Sequence, residues 1–191
     1  MKECKRKEWV IRGDYAYLYI GHNNEYEIII DQEYVDMIEE YRNKGFRIQI
    51  KKLQHTNYIR LRNTKDKTRL NFHRLILFGS KYKENSLVVD HINHNGLDNR
   101  KVNIRACTRS ENARNNKGNK NRKNKYKGVC YDKQGNREKN YRAYTRVKGE
   151  RIWLGYYLTP ELASDAYDKY VIDNFGEYAL TTNKAMNNIS V

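Results

Sequence analysis

Apolar residues are scarce in this chain. Its mean hydropathy is −1.04, close to the range in which a polypeptide cannot bury enough surface to fold. No apolar run reaches membrane-spanning length, so no transmembrane helix is expected. The opening M-K-E-C-K-R-K-E-W is basic but has no apolar stretch behind it, so no secretory signal is expected. Cysteine is confined to Cys4, Cys107 and Cys130, with no C-x-x-C pair, which argues against a zinc knuckle or ribbon. An odd cysteine count without a signal peptide fits a reducing compartment. The expectation is an intracellular, cytoplasmic protein with no membrane partner. Acidic residues are also in deficit, with 23 Asp plus Glu against 38 Lys plus Arg, a net charge of +15. A charge of that size favours a polyanionic partner, nucleic acid foremost.

Aromatic surface is what the chain has in quantity. Its 17 Tyr, 4 Phe and 2 Trp argue against a disordered chain, because aromatic rings bury large areas. They can also stack on bases. Small folded modules joined by polar linkers satisfy both facts. The pattern predicts an α+β fold. Residues 1–66 read as a small N-terminal α+β unit with an accessory or DNA-binding role. Within it, strands are expected at Tyr15–Ile20, Tyr26–Ile30, Phe46–Leu53 and Asn57–Leu61, with a helix over 32–43 capped by Asp31 and stopped near Gly45. No catalytic pattern stands out there.

Residues 67–114 carry the chemistry. A short helix over 71–78 is expected, ending at Gly79. An apolar run, Leu87, Val88 and Val89, then delivers Asp90–His91. Asn95–Gly96 is a hairpin-turn signal. A second strand can run from Val102 to Arg105, and Thr108-Arg109-Ser110-Glu111 has the capping-box pattern of a helix start. The result is strand, loop, strand, helix.

This stretch resembles the HNH endonuclease motif, the ββα-metal nuclease core, in its Asn-ending variant known from phage and intron homing endonucleases. The resemblance rests on D-H at 90–91, G-L-D-N at 96–99, N-I-R at 103–105 and S-E-N at 110–112. It implies that His91 is the general base and that Asn103 braces the loop and orients it. It also implies that Asp90 and Asn112 ligate one divalent metal. Oxygen ligands suit Mg²⁺ or Mn²⁺ better than Zn²⁺. Arg105 and Arg109 are candidates to hold the scissile phosphate. His73 lies in an H-R-L segment that precedes D-H in relatives, and it either hydrogen-bonds structurally or approaches the site. Asp98 and Asn99 shape the loop or support the site. His94 is a phosphate contact or a solvent-facing loop residue.

Residues 115–126 form a basic linker with almost no apolar content, and 184–191 a tail. Between them, residues 127–183 predict three antiparallel strands and one helix. The strands are Lys127–Tyr131, Tyr141–Val147 and Arg151–Tyr157. The helix is capped by Thr159 with Pro160 in its first turn. Alternation sends Ala143, Thr145, Val147, Ile152, Leu154 and Tyr156 toward the helix. Arg142, Tyr144, Arg146, Arg151 and Trp153 then point outward. The block is similar to the plant APETALA-type (ethylene-response-factor) DNA-binding domain, through Y-K-G-V at 126–129, Y-R-A-Y at 141–144, R-I-W-L-G at 151–155 and A-S-D-A-Y-D at 163–168. That resemblance puts DNA contacts on Lys127, Tyr144, Arg146, Arg151 and Trp153, with Arg142 added by parity. Cys130 and Asp132 depart from it, standing where plant members carry basic residues.

The expected function is site-specific, metal-dependent cleavage of double-stranded DNA by a monomer or weak dimer. A regulator that keeps the fold without cutting, or a nonspecific nuclease, is the alternative.

Overall fold

In the computed structural model, the residues described are 7–53, 56–79, 81, 86–115, 126–132, 138 and 140–181. Most of the linker and the whole 184–191 tail therefore lie outside the described residues. The chain divides into two compact units, residues 1–108 and 109–191.

Alternating strand residues organise the first unit. Strands β1 (Val10–Arg12), β2 (Tyr15–Ile20) and β3 (Tyr26–Asp31) form an antiparallel meander. Ala16 faces Ile30 and Leu18 faces Ile28 across β2 and β3. All four are buried, as a period of two requires of one sheet face. Helix α1 (Val35–Asn43) buries Ile38 against them. A second meander follows, β4 (Phe46–Lys52), β5 (Asn57–Asn63) and β6 (Arg69–Asn71). It gives Ile59, Leu61 and Leu70 to the same core. Helix α2 (Phe72–Phe78) adds Phe72, Leu75 and Ile76. The β7 (Val88–His91) and β8 (Ile104–Cys107) hairpin adds Ile104. Each such side chain contributes about 1.5–3 kcal/mol on burial. One core therefore runs across the boundary that composition suggests near residue 66, and the hairpin bearing Asp90 and His91 is built on the N-terminal sheets.

Two local expectations change. Asp31 makes no helix-capping bond. It still belongs to β3, and a 3₁₀ turn, Gln32–Tyr34, separates it from α1. Its carboxylate accepts instead from the Lys101 backbone N–H at 2.7 Å, tying down the loop between β7 and β8. The second strand of that hairpin starts at Ile104, with Val102 and Asn103 in a turn. The loop is accordingly long, and Asn95–Gly96 is not a two-residue hairpin turn.

The second unit opens with α3 (Arg109–Arg114) and contains β9 (Val129–Tyr131), β10 (Tyr141–Val147), β11 (Glu150–Tyr157) and α4 (Pro160–Phe175). The sheet order is β11-β10-β9, all antiparallel. Thr159 accepts from the Leu162 N–H at 3.3 Å and Pro160 opens α4, as the sequence predicts. Ala163, Tyr167 and Val171 of α4 are buried, as are Val129 and Ala143 of the sheet.

One irregularity resets the sheet. A β-bulge lies between the Ala143↔Gly155 and Tyr144↔Trp153 pairs, and Gly155 has φ +131°, a conformation that disfavours a side chain. The extra residue reverses parity, so Tyr156 pairs with Arg142 on the outer face and is 40% exposed. The expectation that Tyr156 meets the helix is corrected accordingly. Among the described residues, no helix is long and apolar enough to cross a membrane.

Candidate active site and nucleic-acid interface

Asp90 and His91 close β7, and both are buried, at 5% and 4% exposure. The β7–β8 register sets Asp90 opposite Arg105 and His91 opposite Ile104. Arg105 donates to Asp90 Oδ2 from Nε at 3.0 Å and from Nη2 at 2.8 Å. The arginine expected on the phosphate is thus paired with the carboxylate expected on the metal.

The loop after His91 is fastened on several sides. The Ile92 N–H donates to the Asn103 carbonyl at 2.8 Å, and the Asn93 N–H to Asn103 Oδ1 at 3.0 Å. Asn103 Nδ2 donates to the Asp98 carbonyl at 2.7 Å. Asn103 therefore braces the loop, but no hydrogen bond joins its side chain to the His91 ring. Asp98 is gripped by Arg100 through Nε at 2.8 Å and Nη2 at 2.7 Å, and by Asn93 Nδ2 at 2.9 Å. The loop also joins β3 through the Ile29 N–H to the Leu97 carbonyl and the Asn99 N–H to the Ile29 carbonyl. His94 is only part-exposed and sits at φ +63°.

Gly96 explains why the loop lies so close to β5. A Cβ there would stand 2.3 Å from the Asn57 carbonyl oxygen and 2.7 Å from the Tyr58 ring. Close approach requires this glycine, rather than a hairpin-turn backbone.

The His91 ring is oriented by Asn99, which is fully buried. Asn99 Nδ2 faces the carbonyls of Leu97 at 3.1 Å and Gly96 at 3.5 Å. Its Oδ1 is thereby turned to His91 Nε2 at 3.3 Å. An amide oxygen accepts only, so Nε2 carries the proton and Nδ1 holds the lone pair. The contact falls to Asn99, expected only to shape the loop or support the site, and not to Asn103, which the family resemblance implies as the orienting residue. The side chains of Asp98 and Asn99 point different ways, which no local pattern shows.

Three rings pack together around this histidine. Tyr58 lies 5.5 Å from His91, His73 lies 5.3 Å from His91, and Tyr58 lies 5.6 Å from His73, all edge-on. Burial pushes the His91 pKa down from its ordinary value, opposed by the Asn99 hydrogen bond and the charges of Asp90 and Asp98. Burial, then the neighbouring His91, Arg74 and Lys51 charges, push His73 down to about 3. Both imidazoles are therefore neutral near pH 7. His73 Nδ1 is sealed from solvent with no hydrogen-bond partner.

The other expected metal ligand, Asn112, lies exposed on α3, as does Arg109. That helix groups with the second unit. Among the described residues no group of three or more His, Cys, Asp or Glu side chains gathers as a metal cage. The donor set that the sequence proposes, one carboxylate and one amide oxygen, needs no such cage. Its hard oxygens suit a cation that keeps several waters.

In the second unit, the outer face of β10 and β11 gathers most of the residues expected there. Tyr144 faces Trp153 and Arg146 faces Arg151. Arg142 lies over the Trp153 ring at 5.1 Å, and Arg151 over Trp153 at 5.1 Å and Tyr144 at 4.9 Å. Trp153 is 50% exposed. Asp132 stands 3.6 Å from Arg142, so one departure from the plant pattern falls on the arginine that parity adds. Lys127 is placed differently. It lies in the turn before β9, and its ammonium donates to the Arg114 carbonyl at 2.6 Å, satisfying a free carbonyl at the end of α3.

A family model described as HNH endonuclease matches residues 72–114, from the start of α2 to the end of α3. No curated protein matches the chain, and no solved structure does. The match supports an HNH nuclease, and the chain order of strand, strand and short helix within the matched segment is consistent with a ββα core. Such a domain points to nuclease chemistry, the hydrolysis of phosphodiester bonds, with DNA as the substrate class.

Proposed function

We propose that this chain is a site-specific, divalent-metal-dependent DNA endonuclease of the homing type, with His91 as general base. The observation that carries the proposal is the Asn99–His91 contact. It fits a neutral imidazole with its lone pair on the buried Nδ1, one residue along β7 from Asp90, in the segment matched to HNH endonucleases. A neutral imidazole can take a proton from the attacking water. Asp90 would help to hold the metal, which when bound would supply Lewis-acid chemistry toward the phosphate and the leaving 3′ oxygen. Arg109 supplies a further exposed cation for phosphate. Arg105 holds Asp90 in a defined rotamer by two hydrogen bonds to one oxygen.

Target selection falls to the second unit. A two-stranded ribbon fits the major groove, and Arg142, Arg146 and Arg151 offer guanidinium forks beside Tyr144, Trp153 and Tyr156. One HNH segment per chain makes nicking the expected product of a monomer. The test is to map cleavage on duplex DNA flanking the gene, with Mg²⁺ or Mn²⁺ and with EDTA. Discrete metal-dependent nicks support the proposal, whereas uniform degradation would point to a nonspecific nuclease.

A regulator that binds without cutting is favoured by one observation, the Asp90–Arg105 pair, which occupies the carboxylate. Tight sequence-specific binding with no cleavage in any divalent metal would establish it instead.

A further inference from the structure

The β4–β5–β6 sheet has one face in the core and one face that no site described so far uses. Register places Arg47 opposite Arg62, and Arg62 opposite Arg69. Three arginines thus stand in one row across three strands. The next row is Gln49, Arg60 and Asn71, and the next is Lys51 beside Tyr58. No acidic residue falls in these rows. Among the described residues, no ion pair joins any of these five cations to a carboxylate. The Nε atoms of Arg60 and Arg62 are buried without a hydrogen-bond partner.

Like charges directly opposite one another on a sheet are destabilising, and buried donors left unpaired are costly. Elsewhere in this unit cations do have partners: Arg42 with Glu39, Arg100 with Asp98, Lys101 with Glu33. The row therefore runs against the fold's own interest, and a ligand that neutralises it would resolve the conflict. The face ends at the active site. Tyr58 shares it with Arg60 and Arg62, and packs on both His73 and His91. Lys51 stands opposite Tyr58 in the same row.

We infer that this face binds the phosphate backbone of duplex DNA next to the scissile bond, with Arg60 and Arg62 at its centre and Arg47, Arg69 and Lys51 flanking them. It rests on the nuclease reading only for its place beside His91. The ligand chemistry is a regular row of phosphates, which guanidinium forks match bidentately. Such contacts carry no base information and set register on the strand to be cut.

The test measures equilibrium binding of the full chain to a DNA duplex in EDTA across a salt series, so that no cleavage is needed. Wild type is compared with Arg60→Gln/Arg62→Gln and with Arg12→Gln/Lys44→Gln, which removes the same charge away from this face. Each phosphate contact adds about 0.9 to the slope of log K against log salt. The first variant should show a slope shallower by about 2 and an affinity lower by tenfold or more, at a melting temperature equal to or above wild type. The control should change little. Equal behaviour of the two variants overturns the proposal. So does a large fall in melting temperature, which would assign the arginines to folding. Weakened binding to an RNA duplex of the same length, with DNA binding intact, overturns it as well. A chain that never cuts DNA still passes or fails this test, so its outcome is separable from that of the nuclease reading.

Discussion

His73 should make the first unit acid-sensitive, and the size of the effect follows from its surroundings. Its imidazole packs edge-on to Tyr58 and His91. Its ordinary value of 6.5 is pushed down to about 3 by burial, His91, Arg74 and Lys51. Unfolding exposes the ring and restores the ordinary value. Below that value the unfolded chain takes up a proton that the folded chain refuses, so stability is complete above it and lost as pH falls. The loss between pH 8 and pH 5 is about 2 kcal/mol from this residue alone. For a unit of this size that is roughly a 10 °C fall in melting temperature. His91 adds loss of the same sign, since its value is also lowered. The assay is urea unfolding followed at several pH values for wild type and His73→Gln, which cannot titrate. The variant should be less stable at pH 8 but lose about 2 kcal/mol less on acidification. Parallel curves for the two proteins would show that the fold does not hold His73 neutral.

Three other perturbations give distinct readouts. Asn99→Ala removes the acceptor that fixes His91 Nε2–H. The cleavage rate should fall about 10–100-fold with little change in DNA affinity, whereas an equal loss of binding would mean the loop had collapsed. Gly96→Ala sets a methyl against the Asn57 carbonyl and the Tyr58 ring, and should cost about 1–3 kcal/mol in urea unfolding; wild-type stability would disprove the close approach. Trp153→Ala removes the ring shared by Arg142 and Arg151. Gel-shift affinity for the cleavage site should drop by about 1–3 kcal/mol, while the half-exposed position keeps the stability change small.

Much of this was legible in the sequence because local rules decided it. Alternation located β2, β3 and β10, and the Thr159–Pro160 start of α4 obeys helix-capping chemistry. The D-H and N-I-R blocks located the hairpin. What was not legible depends on partners distant in the chain. Asp31 reads as a cap, and only the folded loop offers it the Lys101 N–H. Gly96 reads as a turn residue, and only β5 shows what it must avoid. The Gly155 bulge turns Tyr156 outward, because one extra residue inverts every later side chain. The Arg47–Arg62–Arg69 row appears only when register is known, since no two of the three are neighbours in sequence.

In the proposed reaction His91 takes a proton from water at a cleavage centre that includes Asp90. That step is tested most directly by nicking of supercoiled plasmid in Mg²⁺ or Mn²⁺ by wild type and His91→Ala, at equal DNA occupancy. Wild type should convert the plasmid to open circle only with metal, and the variant should do so at a rate lower by about 10²–10⁴. Equal nicking by the two proteins would contradict that role for His91.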